Sequence, residues 1–394
     1  MSRSLNFVII AAFLLVTGTF ISGTILTPYA QEMGATWFQI GILSGSMYVV
    51  RLFVGTPVGR LADKKGVLTV LKYSLMLYPI IAITYWFSST IYALIFARLL
   101  HGLASAMMLP MGMAYIGQAS PAGEEGRYVA LYNACVLLAS GIGPFISTII
   151  AGFYNYRATF ITLFVLAVMA LSILQIFRNG QKTEMKHHDN IDTVVSENMN
   201  SILLRNPKIM ALSMANIALS VISSLVGFFL IPFLKEKGIN LVITGSIIAI
   251  YNIISGISQI PFGKMIDRYN KFNITLLSSV VTALALLIFP LTNNIWFISV
   301  TMVVVSLGSA ALLSGTSALS VIVGRETGMG VTMGFLSTSN SLGMIFGCIS
   351  LSLLPGTGRN YDAFFIFSSI ALIVCTIIFA VLWNVKKSCR ITGS

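Results

Sequence analysis

Three residues could carry charge within the apolar stretches of this chain, and spacing ties two of them together. Arg98 and His101 stand three apart in "RLLHGLASA" (98–106), so a helix places them on one face. Arg51 lies in an earlier stretch, eight residues before Gly59. All twelve Asp and Glu fall in polar breaks or at their edges. A dedicated organic-cation site wants a buried anion, and an embedded carboxylate is the commonest proton carrier; neither is on offer here. His101 is the one imidazole in an apolar stretch, and an ordinary imidazole titrates near pH ~6.5. Arg98, His101 and Arg51 are therefore the coupling candidates. Plainer roles stand beside these. Arg98 would staple its helix to backbone carbonyls or to Thr24 and Thr27, Arg51 would snorkel to water or pair with loop acids, and His101 would only donate a hydrogen bond. No cluster of nucleophile and base points to an enzyme, and no phosphate-binding glycine loop points to ATP. "MKHHD" (185–189) has metal-ligand residue types but reads as a solvated connector. Cys135, Cys348, Cys375 and Cys389 have neither disulfide nor metal spacing, so no cofactor or metal is expected.

A second constellation sits between apolar stretches. "GRLADKKG" (59–66) supplies Gly59, Asp63 and Gly66, and "GKMIDRYNK" (263–271) supplies Gly263 and Asp267 at an offset of 204. The same offset pairs Gly23 with Gly227, Pro28 with Pro232, Glu32 with Glu236, Gly34 with Gly238, Gly41 with Gly245, Pro57 with Pro261 and Gly143 with Gly347. The chain thus reads as a duplication. Gly59 and Gly66 permit close approach and a tight turn. Asp63 can cap the start of a neighbouring helix, where the dipole favours an anion, and act as a latch between two states. The same role is expected of Asp267, with a milder effect on loss because its surroundings match less fully. The lysines of the cluster read as topological signals.

The elements that position these residues follow from composition. The chain is 56% hydrophobic and 9% charged, with mean hydropathy +0.90. Crossing ~30 Å of hydrocarbon takes about 20 apolar residues. Twelve such stretches occur: 7–29, 38–58, 72–89, 93–116, 128–152, 158–178, 210–234, 241–262, 272–291, 295–319, 330–353 and 362–385. The first lacks a small-residue cleavage site and reads as a retained helix. With twelve spans both ends share one side, whose loops and tails hold 18 Lys and Arg against four opposite. That side is expected to be cytoplasmic. The net charge of +12 is thus a topology signal and not a nucleic-acid footprint. Stretches three, six, nine and twelve contain no Gly and should lie at the periphery. The expected fold is an all-α membrane protein of two six-helix halves, 1–178 and 209–394, joined by a cytoplasmic linker over 179–208. Parallel repeats of this kind place a transport site at midplane between the halves.

The motifs resemble the major facilitator superfamily, and within it the twelve-helix drug:proton antiporters. Gly59, Leu61, Ala62, Asp63, Lys64 and Gly66 match its G-x-L-A-D-[RK]-x-G loop signature. Arg98, Gly102 and Ala106 are similar to R-x-x-Q-G-x-x-x-A, with His101 in place of Gln. "GIGPF" (141–145) is similar to the antiporter motif through Gly141, Gly143 and Pro144, though Ser147-Thr148 replace its trailing glycines. Val67 and Leu68 stand where the family usually carries basic residues, a departure from the charge relay that the resemblance would otherwise imply. "GIGPF" should bend its helix or let stretch eight pack against it. The resemblance implies alternating access in the cytoplasmic membrane, with proton-driven export of drug-like molecules or metabolites. Uptake by a symporter or facilitator is one alternative, and a non-transporting sensor with the same fold is another. The expected partners are a small molecule, protons and lipid, with no nucleic acid and no obligate protein partner, so a monomer. Candidate cavity contacts are Thr17, Thr24, Tyr48, Met107, Met111, Asn133, Asn216, Tyr251, Asn252 and Asn340. Interhelical hydrogen bonding is the plainer role for each of them.

Overall fold

The structure is a computed structural model that describes residues 3–180, 206–230, 233–234, 237–239, 241–291, 294–353 and 361–384. Most of the linker, with "MKHHD", lies outside these residues, as do Pro232, Glu236 and Cys389. The described residues form α1 Arg3–Glu32, α2 Trp37–Lys65, α3 Val67–Phe87, α4 Ile91–Ala119, α5 Glu125–Phe153 and α6 Tyr156–Gly180. There follow α7 Pro207–Ser224, α8 Leu241–Arg268, α9 Lys271–Ile288, α10 Ile295–Thr327, α11 Met329–Leu353 and α12 Tyr361–Asn384. Among the described residues, eleven helices are long and apolar enough to cross a membrane. Large apolar side chains such as Phe53, Phe96, Leu277 and Trp296 point outward. Such a surface is stable only against lipid or another apolar body.

Local sequence explains five of the helix starts. Thr36 and Gln39 form a capping box at α2. Thr90, Asn206, Asn270 and Asn294 cap α4, α7, α9 and α10 through their side chains. The charged cluster after the second apolar stretch is not a loop. Helix α2 continues through Asp63 to Lys65, and α8 continues through Asp267 to Arg268. Hydropathy marks where lipid ends, whereas helical hydrogen bonding runs on into water. Lys64 and Lys65 in the last turn of α2 suit its negative end. Only Gly66, at φ +87°, breaks the chain before α3.

By their cores the helices fall into two sets, α1–α6 and α7–α12, although the two most extensive helix–helix contacts run between them. One core cluster draws on α1–α6, with Val321, Met329 and Met333 added from the second set. Two others belong to α7–α12. Helices α3, α6, α9 and α12 pack mainly within their own sets. The sets meet chiefly where α2 lies along α11 and α5 along α8. A Cβ on Gly55 would meet Gly334 O at 2.9 Å, and one on Gly126 would meet Gly263 O at 2.7 Å. These close approaches lie toward the side carrying the α2–α3 turn, called here the basic side. Farther along α2, a Cβ on Gly41 or Gly45 would meet nothing within 4 Å. The α2–α11 contact is therefore tight toward the basic side and looser toward the far side.

Candidate functional site

The starts of α5 and α11 have no side-chain cap of their own. Glu124 precedes α5 without a side-chain cap hydrogen bond, and Gly328, before α11, has no side chain to offer. Each start is capped from the opposite set. Asp63 accepts from Gly330 N and Val331 N, both at 2.7 Å. Asp267 accepts from Gly126 N at 2.7 Å and Arg127 N at 2.8 Å. In each case both carboxylate oxygens are used and face the positive end of a helix dipole. The two repeat-related acids thus make the same contact, once in each direction. Lys271 lies 3.8 Å from Asp267. A Cβ on Gly59 would lie 2.8 Å from Val331 Cα, and one on Gly263 would press into Gly126 O, so both glycines allow the carboxylates to reach.

Between these clasps lies an ion pair that the sequence did not reveal. Arg325, near the end of α10, donates to Glu125 Oε1 at 2.6 Å. It also donates to Ser120 O at 2.5 Å and Gly117 O at 3.1 Å, at the end of α4. In the sequence both partners read as loop charges. A basic residue in the last turn of one helix and an acid in the first turn of another were the available signal.

Deeper in the first set is a polar band. His101 is fully buried, with Nε2 3.2 Å from Thr19 Oγ1 and Nδ1 3.3 Å from the Tyr85 hydroxyl. The rings of Tyr78 and Tyr85 meet it edge-on. Arg98 Nη1 lies near Gly23 of α1. Arg98 Nε and Nη1 are buried without hydrogen-bond partners. Arg51 neither snorkels nor meets an acid: it is 7% exposed and donates through Nη2 to Ser337 Oγ of α11 at 3.4 Å. The Tyr48 ring centroid lies 5.9 Å from its guanidinium carbon.

The remaining candidates separate by what they touch. Asn133 reaches across the sets to Ser317 Oγ at 3.1 Å. Tyr251 pairs with Ser309, and Asn340 donates to Ser220, both within the second set. Asn216, Asn252 and Thr24 bond carbonyls of their own helices. Met107 and Met111 are buried in the first set's core, and Thr17 Oγ1 is buried without a partner. Gly102 seats α4 on α2, 2.7 Å from Met47 O for an added Cβ. "GIGPF" meets two helices: Gly143 closes on α1 at Thr17, Phe20 and Ile21, while Gly141 stands in ordinary contact with Asn252 of α8, which packs along α5. Helix α5 runs unbroken through Pro144.

Long apolar helices with an apolar outer surface define a multi-pass membrane protein. The sequence profile described as Major Facilitator Superfamily matches residues 8–347 and 212–390, and the chain belongs to that family of transporters. It is 26% identical over 375 residues to an uncharacterized MFS-type transporter of Methanocaldococcus jannaschii, covering 93% of this chain and 95% of the relative. It is 22% identical over 344 residues to the quinolone resistance protein NorA of Staphylococcus aureus, covering 85% of each.

Proposed function

We propose that the chain is a secondary transporter of the cytoplasmic membrane that exports a small molecule by alternating access, driven by the proton gradient. Its basic side and both ends face the cytoplasm, and its two homologous six-helix units are joined by 179–208. The observation that carries this reading is the reciprocal pair of Asp63 and Asp267 contacts. Hydrogen bonds at helix starts can open while each unit keeps its own core, as a two-state rocker requires. A sensor has no need of two matching clasps. Export is supported by the antiporter-like motifs and by the resistance name that NorA carries. Inverted membrane vesicles given a panel of fluorescent drugs and a proton gradient test it. The expected result is accumulation that a protonophore abolishes. Accumulation that ignores the protonophore overturns proton coupling, and none for any compound overturns drug export.

Reporter fusions check the orientation. Fusions at Gly66, Asp192 and Ser394 should read cytoplasmic and one at Gly238 external. A cytoplasmic reading at Gly238 sinks the span count.

His101 supports a positioning role. Both ring nitrogens already face hydroxyl groups, and a Gln amide can serve the same two groups. In reconstituted vesicles His101→Gln should keep gradient-driven accumulation within about threefold of the wild type, the scale of a modest hydrogen-bond change. Loss of accumulation with passive exchange intact would instead make His101 the proton carrier.

A further inference from the structure

We infer that Arg51 is the anion-binding point of the transport path and that the substrate carries a carboxylate. This deepens the transporter reading and rests on it, because the substrate must reach the line along which α2 and α11 part. A guanidinium has five N–H donors in a planar fork. Arg51 is more than nine-tenths buried, makes one long hydrogen bond to Ser337 Oγ at 3.4 Å and leaves Nε buried without a partner. The aromatic ring of Tyr48 stands beside it, its centroid 5.9 Å from the guanidinium carbon. Not one of the twelve acids lies in an apolar stretch beside it. Asp63, the acid of the same helix, is engaged by Gly330 N and Val331 N.

A buried cation left without a counter-charge is costly, and an incoming anion removes that cost. The location is suited to a guest. Ser337 belongs to the opposite helix set, so separation of α2 from α11 takes away the one hydrogen bond of Arg51 and leaves the fork free. Thr56 and Thr338, one turn nearer the basic side, face each other at 3.4 Å across the same seam and add hydroxyl groups to it. A planar carboxylate fits a guanidinium fork with two parallel bonds. The exposed apolar faces and absent acids of the bundle give nothing comparable to an organic cation.

Equilibrium titration of the purified full-length protein with 2-naphthoate and with its neutral isostere 2-naphthamide tests this. The acid should bind about tenfold tighter or more than the amide. Arg51→Gln should lower acid binding to the level of the amide, and Arg51→Lys should fall between, since it keeps charge without the fork. Ser337→Asp covers the case in which Arg51→Gln misfolds. It sets a carboxylate beside the guanidinium, so it should raise the unfolding temperature while abolishing preference for the acid. Equal binding of acid and amide, no binding of the acid, or acid binding that survives both Arg51→Gln and Ser337→Asp overturns the assignment. Titration needs no gradient, so failure of export in vesicles and failure of this site are separate results.

Discussion

Asp63→Asn is expected to cut transport about tenfold or more at near-normal membrane abundance. The two oxygens of Asp63 each accept one backbone N–H of α11 at 2.7 Å. An amide keeps one acceptor and turns an N–H₂ toward the other N–H, so one bond becomes a donor–donor contact. The attraction between the charge and the helix start is lost as well. Together these effects weigh roughly 1–3 kcal/mol against the closed basic mouth, a shift of about 5- to 150-fold. The cycle then spends its time open to one side. Each helix set retains its own core, so abundance should hold. Asp267→Asn should come close to it, where the less complete signature around Asp267 suggests a milder effect, because its two bonds, at 2.7 and 2.8 Å, are nearly as short. The check is transport together with labelling of a cysteine placed at Thr338, in a cysteine-free background, by an impermeant reagent applied to the basic side. Labelling should rise in both variants. Wild-type transport in a well-expressed Asp63→Asn protein would reduce the cluster to a topological signal.

The repeat made the clasp legible before any coordinates. Matching Asp63 with Asp267 marked both acids and implied a helix start as partner, since a lone carboxylate at a membrane edge has few better places. Which helix start was not legible, because no local pattern links residue 63 to residue 330. Arg325 and Glu125 were missed for a related reason: each looked like an ordinary loop charge, and their bond spans 200 residues. The surroundings of His101 were missed differently. Helix α3 lacks glycine and was read as facing lipid, yet a helix has two faces. Tyr78 and Tyr85, seven apart and so on one side, turn inward onto His101 while Ile80, Ile83 and Phe87 point out. For Arg51, hydropathy and distance from Gly59 suggested escape to water. The close α2–α11 seam prevents that, and closeness of that kind is a property of two helices together.

That seam gives the other large effect. Gly55 and Gly59 of α2 lie against Gly330 and Gly334 of α11, backbone on backbone. A Cβ on Gly59 would press into Gly330 O and stand 2.8 Å from Val331 Cα. None of these atoms is the end of a flexible side chain, so the helices themselves must separate. Gly59→Ala is therefore expected to lower transport about tenfold or more, with overpacking of roughly 1–3 kcal/mol directed at the closed mouth. Gly45→Ala, on the same helix but with nothing within 4 Å of its added Cβ, should transport as the wild type. Equal damage from both would mean that helix propensity or insertion is at fault and not the seam. The seam and the clasp are one contact, since a separated α11 start is out of reach of Asp63. The double variant Gly59→Ala with Asp63→Asn should then be little worse than Gly59→Ala alone. Damage that instead multiplied would show two independent closures, and α2 would be held to α11 by more than this one mouth.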